Sequence, residues 1–175
     1  ATGLTKEITT HNLWNWLNIR RMFPQSGHYD VEDIVLRFHP LDQPITQQEI
    51  FDSNATVSYF PWYAFKACRE LVEQNCPENH VIGRVVVAML RPMGVISSHV
   101  DEGEYAKNHK RYHFVLNSNS NCTFICGNEA LQMKEGEIWT FNHRLEHQVI
   151  NADPLNPRVH IIADYRVNTN DNDNN

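Results

Sequence analysis

Apolar and polar positions change their rhythm partway along the chain: helical spacing dominates early, and short alternating runs dominate from residue 80 onward. The run from Asn12 to Phe23 sets Leu13, Trp16, Leu17 and Arg20 at helical spacing and stops before Pro24, which predicts a helix. Asp33–Phe38, centred on Ile34-Val35-Leu36, is a short strand candidate. Pro61 opens a stronger helix, with Phe65, Cys68, Leu71 and Val72 on one stripe and Lys66, Arg69, Glu70 and Glu73 opposite; Asn75 and Pro77 end it. Beyond it, Val81–Leu90 is rich in β-branched residues and predicts a buried strand. Further strands are expected over Tyr112–Leu116, Thr123–Cys126, Ala130–Met133, Glu137–Phe141, His147–Asn151 and Val159–Tyr165. The turns between them are marked by an Asn/Ser run over residues 117–121, by Gly127-Asn128, by Glu135-Gly136 and by Asp153-Pro154. Short strands at this spacing indicate an antiparallel sandwich or barrel. With helices first and strands afterwards, the expected class is α+β, mainly β, with the early helices buttressing one sheet.

No repeat or linker divides the chain, and 175 residues suit one domain with a real core. A single domain over residues 1–167 is expected, with its β core from about residue 80. Residues 168–175 are only Asn, Thr and Asp, too polar to pack, and are expected to form a disordered tail. A net charge of −6 argues against a broad nucleic-acid surface, which needs clustered Lys and Arg, although one Arg suffices for a small acidic ligand. No apolar run reaches the length of a membrane span and the first residues lack a signal pattern, so a soluble cytoplasmic protein is expected. The four cysteines show no metal-ribbon spacing; Cys122 and Cys126 read as small core residues of one strand face.

Histidine stands out, with ten in the chain. In His99-Val100-Asp101, extended backbone would turn imidazole and carboxylate to the same side. Two His and one carboxylate on one face of a ferrous ion leave open positions for a bidentate cosubstrate and oxygen. His143 and His147 both qualify by position as the second His, and an HxD pair alone is weak evidence. After His147 and ten intervening residues comes Arg158, opening an apolar strand. A cosubstrate that chelates iron through a keto acid leaves a distal carboxylate, and an arginine fork is its natural partner.

These residues resemble the iron and 2-oxoglutarate dioxygenases built on a double-stranded β-helix, the jelly-roll or cupin-like architecture. More narrowly, residues 91–165 are similar to the aspartyl/asparaginyl β-hydroxylase family through Gly94-Val-Ile-Ser-Ser-His99, Arg111-Tyr-His113, Gly136-Glu-Ile-Trp-Thr-Phe141, Glu146-His147-Gln-Val149 and Arg158-Val-His-Ile-Ile-Ala-Asp164. The resemblance selects His147 over His143 and implies an iron held by His99, Asp101 and His147. It implies 2-oxoglutarate held by Arg158 at its distal carboxylate, helped by Arg111 and His113. Asp101 sets the chain apart from the membrane-anchored animal members, which lack that carboxylate; in this it looks more like the small bacterial members, including the proline cis-4-hydroxylases.

The resemblance thus implies a hydroxylase using Fe(II), 2-oxoglutarate and molecular oxygen, with ascorbate as reductant. The expected substrate is a free amino acid or small amino-acid derivative, with a peptidyl Asp or Asn second. The polar segment from Glu102 to Lys110 is read as a flexible lid, with Tyr105, Lys107 and Lys110 as substrate contacts and Arg37 as a further anchor. Ser98, Asn142 and Arg144 are candidates for steadying the metal ligands. Three other readings compete: a cupin-like metal protein or isomerase that does not use 2-oxoglutarate, a zinc hydrolase, and a non-catalytic binding module.

Overall fold

Three long strands, β1 (Val31–Phe38), β3 (His80–Leu90) and β10 (Arg158–Val167), lie side by side and are apolar on both faces because both faces are covered. The structure is a computed structural model that describes residues 13–17, 20 and 26–169. Among these residues, one sheet runs in the order β2 (Val57–Ser58), β1, β3, β10, β5 (Lys110–Asn117), β8 (Ile138–Thr140). The second runs β4 (Val95–His99), β9 (His147–Asn151), β6 (Cys122–Cys126), β7 (Glu129–Leu131). All pairings are antiparallel. Two facing antiparallel sheets built from these crossing connections form a jelly roll, a double-stranded β-helix.

Alternation along each central strand divides the core. Ile34, Val85, Val87, Phe114, Ile161 and Tyr165 face helices α2 (Phe60–Ala64) and α3 (Lys66–Gln74), meeting Trp62, Phe65, Cys68 and Val72. Val31, Val86, Leu90, Val115 and Ile162 face inward and meet Ile96, Phe124 and Val149 of the opposite sheet. Each fully buried aliphatic side chain contributes about 1.5–3 kcal/mol relative to exposure. The early helices therefore do buttress one sheet, and the space between the sheets is left for the site.

The structure corrects three local expectations and adds one helix that the apolar pattern did not announce. The helix read over Asn12–Phe23 is absent at residues 13–17, which form turns, and most of the remainder lies outside the described residues. Asn15 takes a positive φ of 60° there. Its side-chain oxygen accepts from the Asp33 amide at 3.1 Å and its own amide donates to the Asp33 carbonyl at 2.7 Å, so it binds the edge of β1 instead of continuing a helix. The helix opened by Pro61 is divided at Phe65, whose ψ of 72° turns a buried aromatic ring into the core. Helix α1 (Gln47–Asp52), absent from the pattern of apolar positions, is started by a capping box in which the Glu49 amide donates to Thr46 Oγ1 and the Thr46 amide to Glu49 Oε2.

The polar segment after Asp101 is the third correction. It is helix α4 (Gly103–Asn108), docked on α1 rather than a free lid. Gly103 has φ +89°, and a Cβ there would meet the Phe51 carbonyl oxygen at 2.2 Å, so only glycine allows the close approach. Tyr105 is buried, with its hydroxyl accepting from the Arg84 amide at 2.7 Å and the Arg84 guanidinium 3.6 Å over its ring. Most of the polar tail, residues 170–175, lies outside the described residues. Among the described residues no helix is long and apolar enough to cross a membrane.

Candidate functional site

His99 closes β4 and His147 opens β9, and the two are direct partners across the antiparallel ladder. Residues opposite each other in such a ladder share a face, so the imidazoles meet with ring centroids 4.4 Å apart. Asp101, just past the end of β4, brings Oδ1 to 3.6 Å from His99 Nε2. One donor atom from each of these three residues lies within 4.8 Å of the others, a donor set that fits one metal ion.

The surrounding backbone orients the donors. His99 Nδ1 lies 2.7 Å from the Ser97 carbonyl oxygen and His147 Nδ1 lies 2.8 Å from that of Leu145. Each contact calls for a proton on Nδ1 and leaves Nε2 with a lone pair for a metal. Burial pushes the His147 imidazole below its ordinary pKa, which keeps it neutral. Of the three residues read as steadying groups, Ser98 instead donates to Glu146 at 2.8 Å, while Asn142 Oδ1 accepts from the Arg144 amide at 3.2 Å.

Asp101 is steadied by Arg111, the residue two before His113 on β5. Arg111 Nη1 binds Asp101 Oδ2, and its Nε and Nη2 bind the two oxygens of Asp164 at 2.8 and 3.0 Å. Arg111 and Asp164 are cross-strand partners between β5 and β10. One carboxylate oxygen of Asp101 is thereby occupied and Oδ1 is left toward the two His rings. Burial pushes the Asp164 carboxyl up, but the adjacent Arg111 guanidinium more than offsets this and holds it below its ordinary range. Asp164→Asn is expected to cost about 3 kcal/mol, the lower end for breaking a buried pair, because Asp101 still partners Arg111. Melting of the metal-free variant reads this cost, and metal titration should show a 10–100-fold weaker site as Asp101 loses its anchor. A variant that matches the parent in both would show that Asp164 supports nothing here.

Arg158, at the start of β10, is 3% exposed and lines the same pocket as His99, Arg111, His113 and His147. Its Nη2 is buried without a hydrogen-bond partner, and burial pulls the guanidinium down to about 10. No carboxylate answers it among the described residues. His113 sits two rungs of β5 from Val115, 6% exposed, with Nε2 also buried and unpartnered. Its Nδ1 meets Nδ1 of His160 at 3.3 Å. One buried guanidinium nitrogen and one buried imidazole nitrogen, both unpartnered and lining one pocket, fit an anionic group.

Burial, with the Arg158 guanidinium, holds both His113 and His160 well below the ordinary histidine range. Their protons therefore bind the unfolded chain more tightly than the folded one. Stability from this source is complete above about pH 6.5 and falls as the pH drops below it, by about 1.4 kcal/mol per pH unit per histidine. Denaturation of the metal-free protein between pH 7.5 and 5 should show this slope, and His160→Leu should reduce it by roughly one proton's share. An unchanged slope would mean that His160 is charged in the fold.

The other candidates fall elsewhere. His143 is buried but points its Nε2 at the Ala106 carbonyl oxygen, 2.9 Å away, while its own carbonyl accepts from the Asp101 amide at 3.1 Å. Arg37 is not a free anchor: it donates to the Gly83 and Ile82 carbonyl oxygens and to Ser58 Oγ, under the Trp62 ring. Tyr105 is occupied inside α4, whereas Lys107 and Lys110 border an open cleft beside Phe141 and His143. Three residues of the site carried no earlier assignment. His28 sets its ring edge-on to His99 at 4.8 Å, and nothing in its local sequence announces this. Asp164 and His160 share the inward face of β10 with Arg158, and the period-two polar pattern in an otherwise apolar strand was the available signal.

No curated relative matches the chain significantly. Among solved structures, a 2OG-Fe(II) oxygenase family oxidoreductase from Burkholderia pseudomallei is similar in fold, at 11% identity and a TM-score of 0.52, over 87% of this chain and 76% of that one. A protein from Photorhabdus luminescens matches at 14% identity and TM-score 0.41 over 79% of this chain and 76% of that one. A predicted oxalate decarboxylase from Thermotoga maritima matches at 12% identity and TM-score 0.39 over 49% and 68%. At these lower scores the last two say nothing further about this chain. The sequence profile of the aspartyl/asparaginyl beta-hydroxylase family matches residues 63–167, well over half of the chain and all of the strands that carry the site. The protein is therefore a member of the aspartyl/asparaginyl beta-hydroxylase family.

Proposed function

We propose that this protein is an Fe(II)- and 2-oxoglutarate-dependent dioxygenase that hydroxylates an unactivated C–H bond of a free amino acid or small amino-acid derivative. The observation that carries the reading is the buried, unpartnered Nη2 of Arg158 in the same pocket as His99 and His147, two of the three residues of the His99–Asp101–His147 donor set. A resident salt bridge would have satisfied that guanidinium; an anionic cosubstrate leaves it waiting.

In this reading His99, Asp101 and His147 hold the iron, and residues 1–167 act as one dioxygenase domain. Bound together, the iron, 2-oxoglutarate and oxygen supply the oxidising chemistry, with succinate and carbon dioxide as co-products and ascorbate maintaining the ferrous state. The protein's own part is positional. Arg158 and His113 grip the distal carboxylate of the cosubstrate, and Arg111 holds Asp101 to a single free oxygen. Ile96, Phe124, Phe141 and Val149 make an apolar wall that keeps water from the reacting carbon. The family description favours an aspartyl or asparaginyl side chain as the second substrate reading.

The test is succinate formation by the purified protein with Fe(II), ascorbate, oxygen and 2-oxoglutarate, across free amino acids and Asp- or Asn-containing peptides. Succinate stimulated by one class supports the dioxygenase and names its substrate. No turnover together with no binding of 2-oxoglutarate to the Fe(II) form would overturn the reading in favour of a cupin-like metal protein or isomerase.

A further inference from the structure

We infer that His160 is a positioning residue: its Nδ1–H donates to Nδ1 of His113 and so fixes a proton on His113 Nε2, making that edge a hydrogen-bond donor to the carboxylate of the cosubstrate. The inference rests on the 2-oxoglutarate reading above and assigns a role to a residue with no contact of its own to the pocket.

The argument starts from the 3.3 Å contact between the two Nδ1 atoms. Two imidazole nitrogens at that distance share one proton; two would repel and none would leave two lone pairs facing each other. The rings meet nearly edge to face, with an interplanar angle of 82°, and both are buried away from water that could supply an alternative partner. Burial beside Arg158 keeps both rings neutral, so each carries a single N–H. Only two arrangements remain. If His113 donates, its Nε2 presents a lone pair to the pocket, and His160 is left with a buried, unpartnered Nε2–H. If His160 donates, its Nε2 is a bare acceptor, and His113 presents Nε2–H to the pocket beside the guanidinium of Arg158. An anion held by Arg158 is repelled by the first arrangement and bonded by the second.

The register makes the pairing a product of the sheet. On β10, His160 lies two residues from Arg158 on the inward face, and Ile162, two further, is the cross-strand partner of His113. His160 thus sits diagonally across from His113, within reach of its ring but turned behind it. One edge of the His113 ring is held and the other is aimed at the pocket that it lines.

The direct test is nitrogen-15 NMR of histidine-labelled protein with Zn(II) in place of iron and 2-oxoglutarate bound, with His113→Gln and His160→Leu spectra assigning the signals. The expected result is a protonated Nε2 on His113 and a protonated Nδ1 on His160. A proton on His113 Nδ1 would overturn the inference. Calorimetric titration gives the second reading: His160→Leu should weaken 2-oxoglutarate binding by about tenfold or more, the worth of one hydrogen bond to a charged group, while metal affinity stays within about twofold. His160→Asn, whose side-chain N–H can occupy the place of Nδ1–H, should restore most of the affinity. Parent-like affinity in His160→Leu, or no rescue by His160→Asn in a folded protein, would also overturn it. Failure of the parent protein itself to bind 2-oxoglutarate would instead strike the cosubstrate reading, so the two failures are distinguishable.

Discussion

His99→Ala is expected to lower substrate-dependent succinate formation by at least about 1000-fold while leaving the fold intact, a loss of roughly 4 kcal/mol in transition-state stabilisation. The reason is geometric. Among the described residues His99 supplies one of three donors in the metal site, and its Nε2 is presented by a backbone contact of Nδ1 at Ser97. The structural cost is small, because His99 lies at the partly exposed end of an edge strand and its ring packs against the His28 and His147 rings rather than the apolar core. A change within about 1 kcal/mol is expected on melting of the metal-free protein. His143→Ala is the control: its ring binds the Ala106 carbonyl and only its backbone touches Asp101, so iron should remain. Parent-like turnover with iron still bound in His99→Ala would remove the metal assignment. Loss of iron in a folded His143→Ala, with retention in His147→Ala, would exchange the roles of the two histidines.

Arg158→Leu should move two measurements in opposite directions. Binding of 2-oxoglutarate should weaken by about 100-fold or more, in line with the several kcal/mol lost when one partner of a buried charged contact is removed. The protein without cosubstrate should instead become more stable by about 1–3 kcal/mol, since an apolar side chain replaces a buried charge that no carboxylate of the described residues pairs and whose Nη2 has no partner. For a chain of this size that is a rise in melting temperature of several degrees. A residue whose work is structural gives the reverse on the second count. Unchanged affinity, or a metal-free and cosubstrate-free variant that melts well below the parent, would show that Arg158 belongs to the scaffold. Together the two variants separate the halves of the site: His99→Ala should keep the anion end and lose the metal, and Arg158→Leu should do the opposite.

The trade visible at Arg158 recurs along the inward face of β10. Arg158, His160 and Asp164 are all essentially buried in a strand whose other face is wholly apolar. Asp164 is matched by Arg111, and His160 by His113, while Arg158 finds no such match among the described residues and its Nη2 is unpartnered. Polar groups in a barrel interior persist where each has a partner or where a ligand completes the set.

Much of the fold is legible in the sequence. The β-branched run of β3 and the alternation of β5, β9 and β10 require strands, because a period of two places every second side chain in a core whatever the strand's neighbours are. The two-residue step from His99 to Asp101 and from Arg111 to His113 likewise determines, within one strand or its end, which side chains share a side. What failed was local structure with weak periodicity. Thr46-x-x-Glu49 starts a helix through two hydrogen bonds rather than an apolar stripe, and Glu102–Lys110 looked like a loop because its single deep anchor, Tyr105, is surrounded in sequence by polar residues.

The sequence alone determined the strand-rich class, the polar faces within the strands and the residue types able to hold a metal and an anion, since these follow from side-chain chemistry and local periodicity. Only the tertiary structure decided which strands became neighbours. That register set His147 opposite His99, Asp164 opposite Arg111 and His160 behind His113, and it turned His143 away toward α4. Cross-strand partners lie tens of residues apart in sequence, and pairing is chosen by the burial of whole sheet faces, a sum over the molecule that no single segment carries.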